Sequence, residues 1–252
     1  NSGCTKNNSL QKESSTTSHT SNPLPSWNET DNKKAIINFV EKVTKEGSSD
    51  FVPVAERIAT FDNDGTLWSE QPMYFQFVFT FDRIKAMAPE HSEWKNKQPF
   101  KAVLEDDIKT VMESDPALID ELVMTVSADY TSDEYAKIVK DWIDTAKHPK
   151  TGKLYSEMVF QPMLELLAYL RSKGFKTYIV SGGSVDFMRP WAEKVYGIPP
   201  EQVIGTSFKM KFEIRNGKPV VVQIPEIFLK NDNAGKPIAI YQYIGRRPIA
   251  SF

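Results

Sequence analysis

The chain has 252 residues, 40% of them hydrophobic and 25% charged, with a formal net charge of −2, enough for one large domain or a core domain with a second one inserted. No long basic run is present, so the pattern is not that of a general nucleic-acid or membrane-surface binder, and a small-molecule partner is expected. No stretch approaches the ~20 consecutive apolar residues that cross a bilayer, and a single cysteine, Cys4, excludes an internal disulfide.

Residues 1–31 read as a polar tail, rich in Ser, Thr, Asn and Lys and too poor in apolar residues to pack. Its first residues, Asn1-Ser2-Gly3-Cys4, resemble the start of a mature bacterial lipoprotein, with a small residue before a lipid-bearing cysteine and a polar tether after it. Asn1 departs from the aliphatic residue usual at the head of that box. The resemblance implies a lipid on Cys4 and a place in the cell envelope or periplasm; without the lipid the expectation is cytoplasmic.

From Asn32 to Glu46 the apolar residues Ala35, Ile36, Phe39, Val40 and Val43 recur at helical spacing. Arg57 to Phe61 is a short apolar strand that breaks at Asp62 and Gly65. Between 68 and 157 the patterns are helical: an aromatic-rich segment from Tyr74 to Met87, an acidic amphipathic one from Phe100 to Val126 interrupted near Pro116, and a third from Thr131 to Ala146. Strands and helices then alternate again. A helix from Met163 to Ser172 stops at Gly174, a strand from Lys176 to Val180 ends in Ser181-Gly182-Gly183-Ser184, and a helix from Val185 to Tyr196 stops at Gly197. A strand from Gln202 to Phe208, a hairpin turning at Asn216-Gly217, a short helix from Gly235 to Ile244 and a strand from Pro248 to Phe252 complete the chain. The fold class predicted is α/β, a Rossmann-like parallel sheet (32–67 and 158–252) with an all-helical insertion (68–157).

Thr60-Phe61-Asp62-Asn63-Asp64-Gly65-Thr66 places two carboxylates at the C-terminal end of a strand, the edge at which open α/β sheets bind ligands. A carboxylate can take a phosphoryl group from an ester as an acyl phosphate, dividing one hard displacement into two easier ones. Asp62 is the candidate nucleophile. Two residues on, Asp64 points the same way along extended backbone and can protonate the leaving oxygen, then deprotonate water. Thr66 offers a hydroxyl to a phosphate oxygen. Two carboxylates facing a phosphate dianion call for a hard cation, and magnesium is the expected one, held by an Asp62 side-chain oxygen and the Asp64 carbonyl. On its own the motif also fits a calcium-type acidic loop or a plain turn after a strand.

Asp62-Asn63-Asp64-Gly65-Thr66 resembles the first motif of the haloacid dehalogenase superfamily, in particular its phosphatase branch. Ser181-Gly182-Gly183 resembles the second motif, and Lys236 in Asn233-Ala234-Gly235-Lys236-Pro237 the lysine of the third. The order is that of phosphoserine-phosphatase-like members. The resemblance implies that Ser181 and Gly182 bind the phosphoryl group, helped by backbone N–H groups at the following helix start, and that Lys236 neutralises charge there; Lys230 is the competing lysine. Taken singly, Ser181 would be a turn or helix-cap residue and Lys236 a solvated charge.

Within that superfamily, dehalogenases lack an acid at the position of Asp64, because a halide leaves without a proton, and ion pumps carry threonine there. A magnesium-dependent phosphomonoester hydrolase for a small metabolite is therefore expected; the alternatives are a sugar-phosphate mutase and a non-catalytic lipoprotein that binds a phosphorylated or cationic ligand. Tyr74 to Phe81, with its five aromatics, reads either as packing or as an aromatic-lined pocket, and Glu70 either as a helix-start acid or as a partner for a substrate amine. The family's fourth motif is an acidic loop after a further strand. Pro248-Ile249-Ala250-Ser251-Phe252 resembles that strand, so the remaining magnesium carboxylate is expected beyond Phe252, with Glu226 and Asp232 as poor substitutes because they precede it.

Overall fold

A computed structural model describes residues 22–252. Cys4 and the lipid expected on it lie outside the described residues. A five-stranded sheet of order β4-β3-β2-β1-β5 forms the frame: β1 (Ile58–Phe61), β2 (Lys176–Ser184), β3 (Val203–Arg215), β4 (Lys218–Leu229) and β5 (Ala250–Ser251). The pairs β1–β2, β1–β5 and β2–β3 are parallel, and β3–β4 is antiparallel. Every residue of β1 is buried, as a strand flanked on both sides and covered on both faces requires. Side chains alternate across the sheet: Ile179 enters the main core, while the next residue, Val180, joins a smaller cluster with Ile204 and Ala239 on the other face.

Nine helices accompany the strands among the described residues. α1 (Asp31–Thr44) is capped by the Thr30 hydroxyl, which accepts the Lys33 N–H. The segment before it is packed, and this moves the boundary expected at residue 31. Leu24 is fully buried, the Ser26 N–H donates to Glu165 at 2.8 Å, and the Trp27 indole donates to the Pro162 carbonyl at 2.8 Å. Both partners lie on α7 (Gln161–Ser172). An apolar Leu and Trp inside a polar stretch supply burial that composition alone does not register.

Between β1 and α7 the chain forms α2 (Phe75–Met87), α3 (Phe100–Leu104), α4 (Ile108–Met112), α5 (Pro116–Thr125) and α6 (Ser132–Ile143). The stretch expected as one interrupted helix from Phe100 to Val126 is three short ones, broken at Asp106, whose φ is +58°, and at Pro116. The excursion leaves and returns through adjacent backbone: Trp68 bridges Val159, and the Ser69 and Phe160 N–H groups donate to Met158 and Leu67 at 2.9 Å each. α8 (Val185–Tyr196) follows β2, and α9 (Gly235–Ala239) runs into a wider turn through Ile244.

Two further expectations change. The strand expected from Lys176 to Val180 continues as a strand through Ser181-Gly182-Gly183-Ser184, with a register shift between Val180 and Ser184. The third strand and the first hairpin arm are one continuous 13-residue strand. Asn216 and Gly217, with φ of +52° and +75°, make the tight turn expected of that pair.

Candidate active site

The first motif is shaped by its own backbone. Gly65, at φ +73°, turns the chain so that its N–H donates to the Trp68 carbonyl at 3.0 Å, while the Thr66 and Leu67 N–H groups donate to the Asn63 carbonyl at 3.1 and 2.8 Å. The left-handed turn is what favours glycine here, and a Cβ at Gly65 would in addition stand 3.0 Å from the Glu70 carboxyl and press it aside. Asn63 is buried, and its Oδ1 accepts the Tyr196 hydroxyl at 3.1 Å, which ties the loop to α8. Both groups are satisfied by this bond, as burial demands.

Asp62 leaves β1 with its N–H bonded to the Phe252 carbonyl at 3.0 Å. One carboxylate oxygen accepts the Asn63 N–H at 2.9 Å, and the other lies 2.8 Å from Lys236 Nζ. Lys236 sits in the first turn of α9, so the third-motif lysine meets the first-motif acid. Lys230 is turned elsewhere, 2.6 Å from Asp120 of α5.

Asp64 has different surroundings. Trp68 is stacked on Trp191 at 4.4 Å and edge-on to Phe75 at 4.8 Å, with Phe187 behind. Its indole N–H donates to Asp64 Oδ1 at 2.8 Å. Burial against this aromatic layer pushes the Asp64 carboxyl up to about 6; the indole bond and Lys236 pull it down, whereas Asp62 and Glu70 add to the rise. Two carboxylates two residues apart thus stand in contrasting environments, one paired to an ammonium group and one held near neutrality by burial.

Ser181 and Gly182 are set by a network from outside their strand. The Asn231 side-chain amide donates to the Ser181 carbonyl at 2.8 Å, the Thr206 hydroxyl donates to the Gly182 carbonyl at 2.7 Å, and the Asn231 N–H donates to Thr206 Oγ1 at 3.1 Å. Ser181 Oγ accepts the Gly183 N–H at 3.1 Å, which leaves the hydroxyl proton available to a ligand. At the α8 start one N–H is already taken, that of Ser184, which donates to Gln76 Oε1 of α2 at 2.8 Å.

These groups face one cavity of about 390 Å³, lined by Asp62, Asp64, Ser181, Gly182 and Lys236 from the strand ends. Tyr74, Phe77, Ile119 and Val123 form its helical side. Thr66 is not among its lining residues, so the structure does not bring that hydroxyl to the others. Glu70 does line the cavity, and it lies in irregular chain before α2, not at a helix start. Asp232, set aside on sequence position, lines it too: a Cβ at Gly182 would lie 3.4 Å from Asp232 Oδ1. Glu226 instead pairs with Lys209 on the hairpin. Of the aromatic run, Phe75, Phe79 and Phe81 are core, whereas Tyr74, 44% exposed, and Phe77 reach the cavity.

The donor set bears on a metal. Asp62, Asp64, Glu70, Asp120 and Asp232 line the cavity against only Lys230 and Lys236, an all-oxygen set with surplus negative charge that suits a hard divalent cation. Among the described residues no three His, Cys, Asp or Glu side chains converge into a closed site. The set therefore fits magnesium in kind and supplies part of a shell, which is how this ion is commonly held, with water and phosphate oxygens completing it.

Residues 59–248 match the family model of the haloacid dehalogenase-like hydrolases. The chain belongs to that family. No curated protein matches its sequence. Among solved structures, it is similar to a protein of unknown function from Bordetella pertussis Tohama I, at 15% identity and a TM-score of 0.50 over 75% of this chain and 74% of that one. A conserved functionally unknown protein from Anaerococcus prevotii DSM 20548 matches at 14% identity and 0.46, over 88% and 78%. A phosphoserine phosphohydrolase-like protein from Francisella tularensis subsp. tularensis SCHU S4 matches at 14% and 0.36, over 75% and 72%. At these identities the Bordetella likeness speaks for the fold alone.

Proposed function

We propose that the chain is a magnesium-dependent phosphatase that hydrolyses a small phosphomonoester through an aspartyl-phosphate on Asp62. The observation that carries this reading is the contrast within the acidic pair: Asp62 is held 2.8 Å from Lys236, while burial holds Asp64 near pH 6. A buried carboxyl that keeps its proton toward neutral pH suits the acid/base role, and a carboxylate paired with an ammonium group suits that of the nucleophile.

In the first step an Asp62 oxygen bonds to phosphorus as the ester P–O bond breaks, and the Asp64 carboxyl passes its proton to the departing oxygen. In the second, ionised Asp64 takes a proton from water, whose oxygen attacks phosphorus and releases phosphate and the Asp62 carboxylate. Lys236 balances charge on the nucleophile, and the Ser181 hydroxyl and Gly182 N–H bind phosphoryl oxygens. Magnesium, held by Asp62, the Asp64 carbonyl and a further carboxylate such as Asp232, would supply charge neutralisation at the phosphoryl group. The helices between residues 68 and 157 serve as a cap that excludes water.

Hydrolysis of p-nitrophenyl phosphate with magnesium or with chelator, alongside Asp62→Asn, tests the assignment. Turnover that needs the metal and disappears in the variant is expected; metal-independent turnover that survives the substitution rejects it. The envelope location proposed from Cys4 is tested separately, by metabolic labelling with palmitate in wild type and Cys4→Ala.

A further inference from the structure

On the helical side of the cavity one polar side chain has both ends placed. Gln76 is the second residue of α2 and is buried on the same face as Phe75, Phe79 and Thr80. Its Oε1 accepts the Ser184 N–H. Ser184 precedes α8 and makes no side-chain cap of its own, so a carboxamide from a distant helix satisfies a donor at that helix start. The fit is close: Gln76 Oε1 stands 3.0 Å from where a Cβ on Gly183 would lie.

A carboxamide has an accepting end and a donating end. A backbone N–H only donates, so the bond to Ser184 fixes which end of Gln76 is the oxygen. Its Nε2 then has no hydrogen-bond partner among the described residues, yet it is not among the side-chain atoms sealed away without one. It belongs to a residue that lines the cavity together with Asp62, Asp64 and Ser181. The lysines there, Lys230 and Lys236, are each already paired to a carboxylate. Each ammonium group keeps further N–H donors, and a neutral donor on this wall adds a contact for phosphate oxygens from a different element, α2.

We propose that Gln76 is a substrate-contacting residue outside the three motifs: its Nε2 donates to an oxygen of the phosphoester bound between Asp62 and Ser181, while its Oε1 keeps the Ser181–Ser184 segment in place. The proposal rests on the phosphatase reading. Because the contact reaches from α2 to the end of β2, ester binding and the position of the helical wall depend on each other.

Two variants separate donation to substrate from anchoring alone. Gln76→Glu keeps an oxygen for the Ser184 N–H but replaces the donor with an anionic oxygen, and Gln76→Leu removes both ends. At pH 7.5, with melting temperatures checked, the readouts are KM for p-nitrophenyl phosphate and Ki for inorganic phosphate. Loss of a hydrogen bond to a charged group predicts that both constants rise at least about tenfold in Gln76→Glu. Wild-type constants in a folded Gln76→Glu would reduce the residue to an anchor and overturn the proposal. Should Gln76→Glu fail to fold, unchanged constants in Gln76→Leu overturn it, a rise of that size at wild-type kcat upholds it, and a rise that comes with a fall in kcat assigns the effect to a displaced Ser181–Ser184 segment and overturns it. Wild-type protein that turns over nothing rejects the phosphatase reading and this proposal together, whereas active wild type with an unaffected Gln76→Glu rejects the proposal alone.

Discussion

The two walls of the cavity are built on opposite principles. The strand-end wall carries Asp62, Asp64, Ser181 and Lys236, each held by named partners: Lys236 and the Asn63 N–H on Asp62, Trp68 on Asp64, Gly183 on the Ser181 hydroxyl. The helical wall carries Tyr74, Phe77, Ile119 and Val123, which offer surface and, Tyr74 aside, no reactive group, and it is tied to the strand side by the Gln76–Ser184 hydrogen bond and the Asp120–Lys230 ion pair. Hydrogen bonds and ion pairs fix a group to fractions of an ångström, as reaction requires. Apolar packing sets shape, as choice of leaving group requires. The strand-end wall should therefore govern whether the reaction occurs, and the helical wall which ester undergoes it.

The largest expected effect is the removal of the nucleophile. Asp62→Asn should lower kcat on p-nitrophenyl phosphate by about 10³-fold or more, measured against an unchanged melting profile. Next comes Lys236→Met, which strips the Asp62 carboxylate of its partner and should cost about 10²-fold in kcat. Comparable losses from substitutions on the helical wall would erase the distinction between the walls.

Asp64 sharpens the comparison through pH. As general acid it must be protonated, so kcat/KM for alkyl phosphates, whose leaving oxygen needs the proton, should fall as pH rises through about 6. Asp64→Asn should hurt alkyl phosphates far more than p-nitrophenyl phosphate, whose leaving group departs unaided. The same burial has a sign in stability. The folded carboxyl, pushed to about 6 from an ordinary 3.8, binds its proton more tightly than the unfolded one, so the ionised form costs the fold roughly 3 kcal/mol above pH 6 and nothing below the unfolded value. Metal-free Asp64→Asn should thus be the more stable protein in urea at pH 7.5, with the advantage gone near pH 4. The smallest effect belongs to Ile119→Ala, which should change the ratio of kcat/KM between aryl and small alkyl phosphates about threefold to tenfold while leaving the pH profile alone.

The strand-end wall was largely legible in the sequence because its chemistry is compressed into short motifs at strand ends, and DxDGT, SGG and the late lysine were each placed at the right edge. The sequence favours Lys236 over Lys230 for its place before a helix, and the structure adds a 2.8 Å contact from Lys236 to Asp62 and the pairing of Lys230 with Asp120. Asp232 was missed for a topological reason. It precedes the last strand, but the loop after β4 returns beside Gly182. Thr66 was misplaced because the Gly65 turn carries the chain back onto Asn63. The helical wall was illegible because aromatic spacing does not tell a core face from a cavity face: Phe75 is sealed in the core, while Phe77, two residues on and packed against the same core, also reaches the cavity. Gln76 did leave a signal, a polar residue on the buried face of an aromatic helix, which must have a partner somewhere.

The most direct test of the central claim is to trap the intermediate. Protein mixed with p-nitrophenyl phosphate and magnesium, quenched in acid and digested, should yield the peptide containing Asp62 carrying an added phosphoryl group, and Asp62→Asn should yield none. Sustained turnover with no adduct on that peptide, or turnover undiminished in Asp62→Asn, would contradict the account.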